Sequence, residues 1–90
     1  MSIEELLDEL NIDKEPIENE NGSYTIDLDS SNEFAKYSSK LDKSDLLEED
    51  QEASNIGLET SSVQYVSDDF TVTMLANFET EEYKMIIREM

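Results

Sequence analysis

At 90 residues the chain has room for one domain, 1–90, with a modest core: Leu, Ile, Val and Phe number 22, just above the level at which chains tend to stay disordered. It has no Cys and no His, which excludes disulfides, thiol or imidazole catalysis and soft metal sites. The outlier is charge, with 24 Asp and Glu against 6 Lys and Arg and a formal net charge of -18, where solubility alone asks for about 2–8 in magnitude.

Self-repulsion at that density works against a compact state. A positively charged partner is the simplest compensation; plain acidic solubilisation is the bland alternative. No basic stretch followed by an apolar one marks a signal peptide, and no apolar run approaches the ~18 residues of a spanning helix. A cytoplasmic protein with no membrane partner is expected.

Ser2 and Glu5 have capping-box spacing, and Ile3, Leu6, Leu7 and Leu10 follow on one helical face, so 2–10 reads as an amphipathic helix that must dock. Asn21-Gly22 is a strong hairpin signal. A two-residue loop there pairs Ile17 with Ile26 and Asn19 with Tyr24, leaving Glu18, Glu20, Asp27 and Asp29 on the opposite face. Ser30 and Glu33 start a second helix over 31–41, carrying Phe34, Tyr37 and Leu41 inward. Ser44 and Asp45 can start a short third helix with Leu46 and Leu47, running into Glu48, Glu49, Asp50 and Glu52. Acids near a helix C-terminus oppose its dipole, and Asn55 to Gly57 reads as a break.

The last third alternates. A turn at Asp68-Asp69 pairs Tyr65 with Val72. A loop at 79–82 pairs Phe78 with Tyr83, Ala76 with Met85 and Met74 with Ile87. Leu75 and Ile86 then meet on the other face, which a helix would partly cover. The expected fold class is α+β: a small antiparallel sheet, made of an N-terminal hairpin and a C-terminal three-stranded meander, packed with two or three short helices.

Chemistry is sparse. The only glycines are Gly22 and Gly57, so there is no phosphate loop. Nothing singles out a catalytic carboxylate pair, and no enzyme, cofactor or metal site is expected. Asp27, Asp29 and Ser31 fit the first positions of a calcium loop, but Asn32 and Ser38 stand where Gly and a bidentate Glu belong. Lys36, Lys40 and Lys43 share a helical face and read as local partners of Glu33 or neighbouring acids.

The acids carry the functional signal. Alternate residues of a strand lie ~6.5–7 Å apart and face one way, so rows of carboxylates can imitate phosphates to a Lys- and Arg-lined groove. Two sets qualify: a hairpin row, Glu18, Glu20, Asp27 and Asp29, and a denser central cluster, Asp45, Glu48, Glu49, Asp50 and Glu52, which is favoured. In size, in its opening MSIEELLDEL and in its acid-rich body the chain resembles phage-encoded DNA-mimic inhibitors of the anti-CRISPR and anti-restriction type. The resemblance implies a basic nucleic-acid-binding partner, a CRISPR nuclease or other defence enzyme, with no nucleic acid bound directly and action as a monomer or dimer. An acidic adaptor that binds a basic protein without mimicry, and a virion accessory protein, are the alternatives.

Overall fold

The computed structural model describes residues 2–89, and within them all side chains except those of Ala53 and Ile56. Helix α1 (Ile3–Glu9) opens on the capping box: the Ser2 hydroxyl accepts from the Glu5 amide at 3.2 Å and Glu5 accepts from the Ser2 amide at 3.3 Å. It closes on Asn11, whose φ of 58° is left-handed. The Ile12 amide reaches back to the Leu7 carbonyl at 2.9 Å and the Asn11 amide to that of Asp8 at 3.1 Å. Leu6, Leu7, Leu10 and Ile12 are buried, so the stop signal itself turns an apolar residue into the core.

Strands β1 (Ile17–Glu18) and β2 (Tyr24–Leu28) form the first hairpin, followed by α2 (Ser31–Lys43). Ser30 caps α2 by accepting from the Glu33 amide, while Glu33 accepts from the Asp29 amide at 2.9 Å and from Lys14 at 2.7 Å. Tyr37 and Leu41 are buried beneath the helix. Strands β3 (Glu48–Ile56), β4 (Thr60–Val66), β5 (Phe70–Asn77) and β6 (Glu82–Glu89) then run as a meander. All six strands join one antiparallel sheet in the order β1-β2-β6-β5-β4-β3. Helix α2 therefore carries the chain from β2 on one side to β3 at the far edge.

Both helices contribute to a core on one sheet face. Ile26, Met85, Ile87, Val72, Met74 and Tyr65 from four strands meet Leu6, Leu41 and Tyr37 there in one contiguous cluster. The α+β expectation holds at that level, and α1 and α2 stand where capping and periodicity put them. Among the described residues no helix is long and apolar enough to cross a membrane.

Four details differ. The first hairpin pairs Ile17 with Thr25 and Glu18 with Tyr24, one residue away from the expected register. Its loop has three residues, not two: the Asn19 amide donates to the Ser23 carbonyl at 2.8 Å and Gly22 sits at φ 84°. A one-residue slip exchanges faces, so Ile17 is 58% exposed and Glu18 takes the face of Tyr24.

The expected third helix is absent; 48–56 is the edge strand of a four-stranded meander. The Ser44 hydroxyl accepts from the Leu46 amide in a tight turn, and Leu47 is buried. The acids that would oppose a helix dipole suit an edge strand, where charge blocks pairing with other chains.

The β4–β5 turn pairs Tyr65 with Val72 as the sequence predicts, but β6 is displaced by two residues. Ala76 faces Tyr83, Met74 faces Met85 and Val72 faces Ile87. The Asn77 side chain accepts from the Glu79 and Thr80 amides and starts the loop early, leaving Phe78 off the ladder. A two-residue slip preserves faces, so the core keeps its members except Phe78, which is left 42% exposed.

Finally, Leu75 lies opposite Lys84 rather than Ile86, and the face that holds them is not covered by a helix. α2 packs on the other side, over β2, β5 and β6.

The core assignment predicts a contrast. Leu6→Ala and Leu41→Ala, at fully buried positions, should each lower unfolding free energy by ~2–5 kcal/mol. Leu58→Ala, at a side chain 98% exposed, should change it by less than ~0.5 kcal/mol. Urea midpoints for the three variants measure the difference.

Candidate acidic interface

Of the 24 acids, all but Glu33 and Asp50 are exposed. Their arrangement follows from the strands. In β3, Glu48 and Asp50 pair with Val66 and Gln64 and point to the face away from the helices, whereas Glu49 lies opposite Tyr65 on the helix side. The ladder then breaks between Asp50 and Asn55. Ser54 pins the bulge by donating to the Asp50 carbonyl at 2.8 Å and accepting from the Gln64 amide at 3.1 Å. Glu52 is carried on the bulge, exposed.

Two further acids join this edge. Asp45, Glu48 and Asp68 line one cleft together with Leu46, Val66 and Ser67. On the helix side the Tyr65 hydroxyl donates to Asp42 at 2.7 Å, with Ser38 at 3.4 Å. Burial, then the hydrogen bond to Asp42 and the charges of Asp42 and Glu49, push the Tyr65 phenol from its ordinary 10.0 up to about 12. The central cluster is thus assembled as an acidic band that wraps the β3 edge, extended by Asp42 and Asp68. Asp68 reads from sequence only as a turn residue. It joins the band because β3 is a strand, and Glu48 to Ile56 has no apolar alternation to reveal that.

The hairpin row is not assembled. Glu18 lies on the helix face beside Tyr24, where its charge is the main cause of a raised phenol pKa. Asp27 lies on the opposite face across from Lys84, and Glu20 is in the loop. Asp29 meets Lys14 at 3.2 Å beyond the end of β2. Lys14 also holds the Glu33 carboxyl below its usual range and is itself raised by that contact.

Of the α2 lysines, Lys36 helps to lower the Glu33 carboxyl as the sequence suggests, but the ring of Tyr37 is a further partner. Lys36 and Lys40 each lie 5.4 Å from the centre of the Tyr37 ring, and Lys40 donates to the Asn11 carbonyl at the end of α1 at 2.6 Å. Asp27 and Ser31, read as calcium-loop positions, fall in a strand and a helix. Among the described residues no group of three or more acids is placed to hold a metal ion. Comparison with known proteins yields no matching family model, no matching curated protein and no matching solved structure.

The Tyr65 contact predicts an alkaline limit. A raised pKa in the folded state means that stability is retained below about 10 and lost as pH rises through about 12. Phenolate absorbance should show one of the four tyrosines titrating near the upper value, and Tyr65→Phe should delete that late step. Since Asp42 is exposed and returns to water, the substitution should cost about 0.5–1.5 kcal/mol near neutral pH.

Proposed function

We propose that this chain is a nucleic-acid mimic: a non-enzymatic inhibitor that occupies the positively charged DNA- or RNA-binding groove of a host defence nuclease, a CRISPR effector being the favoured target. The observation that carries the reading is charge per length. The molecule extends 35 Å along its longest axis and bears a net charge of -18. A duplex of that length bears about 20 phosphate charges, one per ~1.7 Å. Such a density exceeds what solubility asks for, and here it sits on a six-stranded sheet whose edge strand β3 carries a bulge.

In this mechanism the contacting surface is the band on β3: Asp45, Glu48, Glu49, Asp50 and Glu52, with Asp42 and Asp68. Glu48 and Asp50 share one side of an extended strand at ~6.5–7 Å, a spacing fixed by backbone geometry. Arg side chains of the target take such carboxylates bidentately. Association is steered by long-range charge and nucleic acid is excluded sterically. Glu18, Glu20, Asp27 and Asp29, spread over two faces and a loop, contribute to the field rather than to a shaped array. The second reading is an acidic adaptor that binds a basic protein beside its nucleic acid. It draws support from Leu58 and Phe78, apolar side chains left exposed away from the band, which phosphate imitation does not use.

Charge reversal by region tests the proposal. Lys at Asp45, Glu48, Glu49 and Glu52 should raise the concentration needed to block DNA cleavage by a purified CRISPR nuclease more than about 100-fold. Lys at Glu18, Glu20, Asp27 and Asp29 shifts the net charge equally and should change it by less than about tenfold. Circular dichroism verifies that both variants fold. Equal loss from both sets would show bulk charge rather than a shaped mimic. Binding alongside labelled DNA, without displacement, would favour the adaptor.

A further inference from the structure

The sheet face away from the helices is polar and apolar, rather than acidic, at its middle. On β4, β5 and β6 it presents Ser62, Gln64, Thr71, Thr73, Leu75 and Ile86 near its middle, all half-buried. Glu82, at one end, is the single carboxylate that these three strands place there. Two of the six cations, Lys84 and Arg88, stand on β6. Glu48 and Asp50 stand on β3, on the other side of the central strand β5. The face is therefore uneven: its cations, Lys84 and Arg88, lie on one side of β5 together with Asp27 and Glu82, and the other side carries the acids Glu48 and Asp50.

We propose that this face is an isologous interface between two copies of the chain, related by a two-fold axis parallel to β5 and lying between the two sheets. The strand order selects the axis. Rotation about β5 places β6 of one copy over β4 of the other and β2 over β3, with positions along the strands preserved. Arg88, in cross-strand register with Thr71, Val66 and Glu48, then lies over Val66 of the second copy and beside its Glu48.

By the same register Ile86 lies over Gln64, at the depression lined by Gln64, Thr71, Thr73, Ile86 and Arg88. Leu75 meets its own copy on the axis, and Asp27 faces Asn55. No carboxylate faces a carboxylate. Facing sheets pack about 10 Å apart and rotated by about 30°, which displaces these partners by about one and a half residues at β2 and β3 and keeps Arg88 on the side of Glu48. The other in-plane axis, across the strands, lays β6 on β6 and sets Lys84 and Arg88 against cations; it is disfavoured on charge.

Two chains of -18 repel at long range while their faces attract at short range. Salt screens the first more than the second, so the dimer should tighten as NaCl rises. That is the opposite of the dependence expected for a cationic target, so the two proposals fail separately.

The test is sedimentation equilibrium of the full chain, at 10.3 kDa per copy, in low and high salt. A two-fold species is expected that is more abundant in high salt. Leu75→Arg, which sets two cations against each other on the axis, should weaken it more than about 100-fold. Arg88→Glu and Glu48→Arg should each weaken it about tenfold or more, and the double swap Arg88→Glu/Glu48→Arg should restore it. Arg88 and Glu48 are three strands apart within one chain, about 14 Å, so rescue reports contact between chains, and it stands even if Leu75→Arg fails to fold. A chain that remains monomeric at millimolar concentration in both salts overturns the proposal. So does a dimer that survives Leu75→Arg in a folded state, or single swaps that the double does not rescue.

Discussion

The ladder between β2 and β6 is the interaction on which the rest of the structure depends. Five consecutive pairs, from Tyr24–Ile87 to Leu28–Tyr83, join a strand from the first third of the chain to the last strand. Without it the molecule is a hairpin, two short helices and a separate meander. An isolated two-stranded hairpin is marginal in water, and a seven-residue helix such as α1 has too few turns to stand alone. With it, Ile26 and Leu28 come beside Met85 and Tyr83, and α2 gains a floor made of β2, β6 and β5. The paired residues are 55 to 63 positions apart in the 90-residue chain. The loop-closure cost falls before most apolar burial is gained, which argues for slower folding than a helical chain of this length.

Charge then decides what each surface is for. Acids are kept at the periphery because an unpaired carboxylate cannot be buried cheaply. The few cations are used structurally. Lys14 draws the segment between α1 and β1 against Asp29 and Glu33 at the start of α2. Lys40 closes the C-terminal end of α1 and lies against Tyr37, so one side chain links both helices. Lys84 and Arg88 are left on the open sheet face, where they stand across from polar and apolar side chains of β5.

Local signals were legible in the sequence where the residues that make a feature are adjacent in the chain. Ser2 with Glu5 and Ser30 with Glu33 give the helix starts, and the Asp68-Asp69 turn gives the Tyr65–Val72 pair. What was not legible depends on competition between neighbours. Asn19 and Asn21 both hydrogen-bond to Ser23, and that favours a three-residue loop over the two-residue loop that Asn21-Gly22 suggests. Asn77 captures the next two available amides and moves the β5–β6 register. Strand β3 carried no signal at all: its residues are chosen for an exposed edge, and its place is fixed by the pairing partner β4. The central cluster is legible from composition, but its shape, and the inclusion of Asp68, follow from that pairing.

The acids of β3 have a plain structural use, and its magnitude bears on the function. One or two charges and a bulge suffice to keep an edge strand from pairing with other chains. The opposite edge achieves this with a two-residue strand just after Pro16. Strand β3 has the bulge and also Glu48, Glu49, Asp50 and Glu52, with Asp45 and Asp68 beside it, which is more than edge protection requires. The excess is what the mimicry reading explains. It also couples that reading to the proposed dimer, because Glu48 faces Arg88 of the second copy in the dimer and a target's cations in the inhibitor. One carboxylate cannot serve both, so a chain engaged through its open face has part of its band withdrawn. Under both proposals, dimerisation and target binding compete. Low ionic strength, which strengthens attraction to a cationic groove and separates two acidic copies, would then favour the proposed target-binding form on both counts.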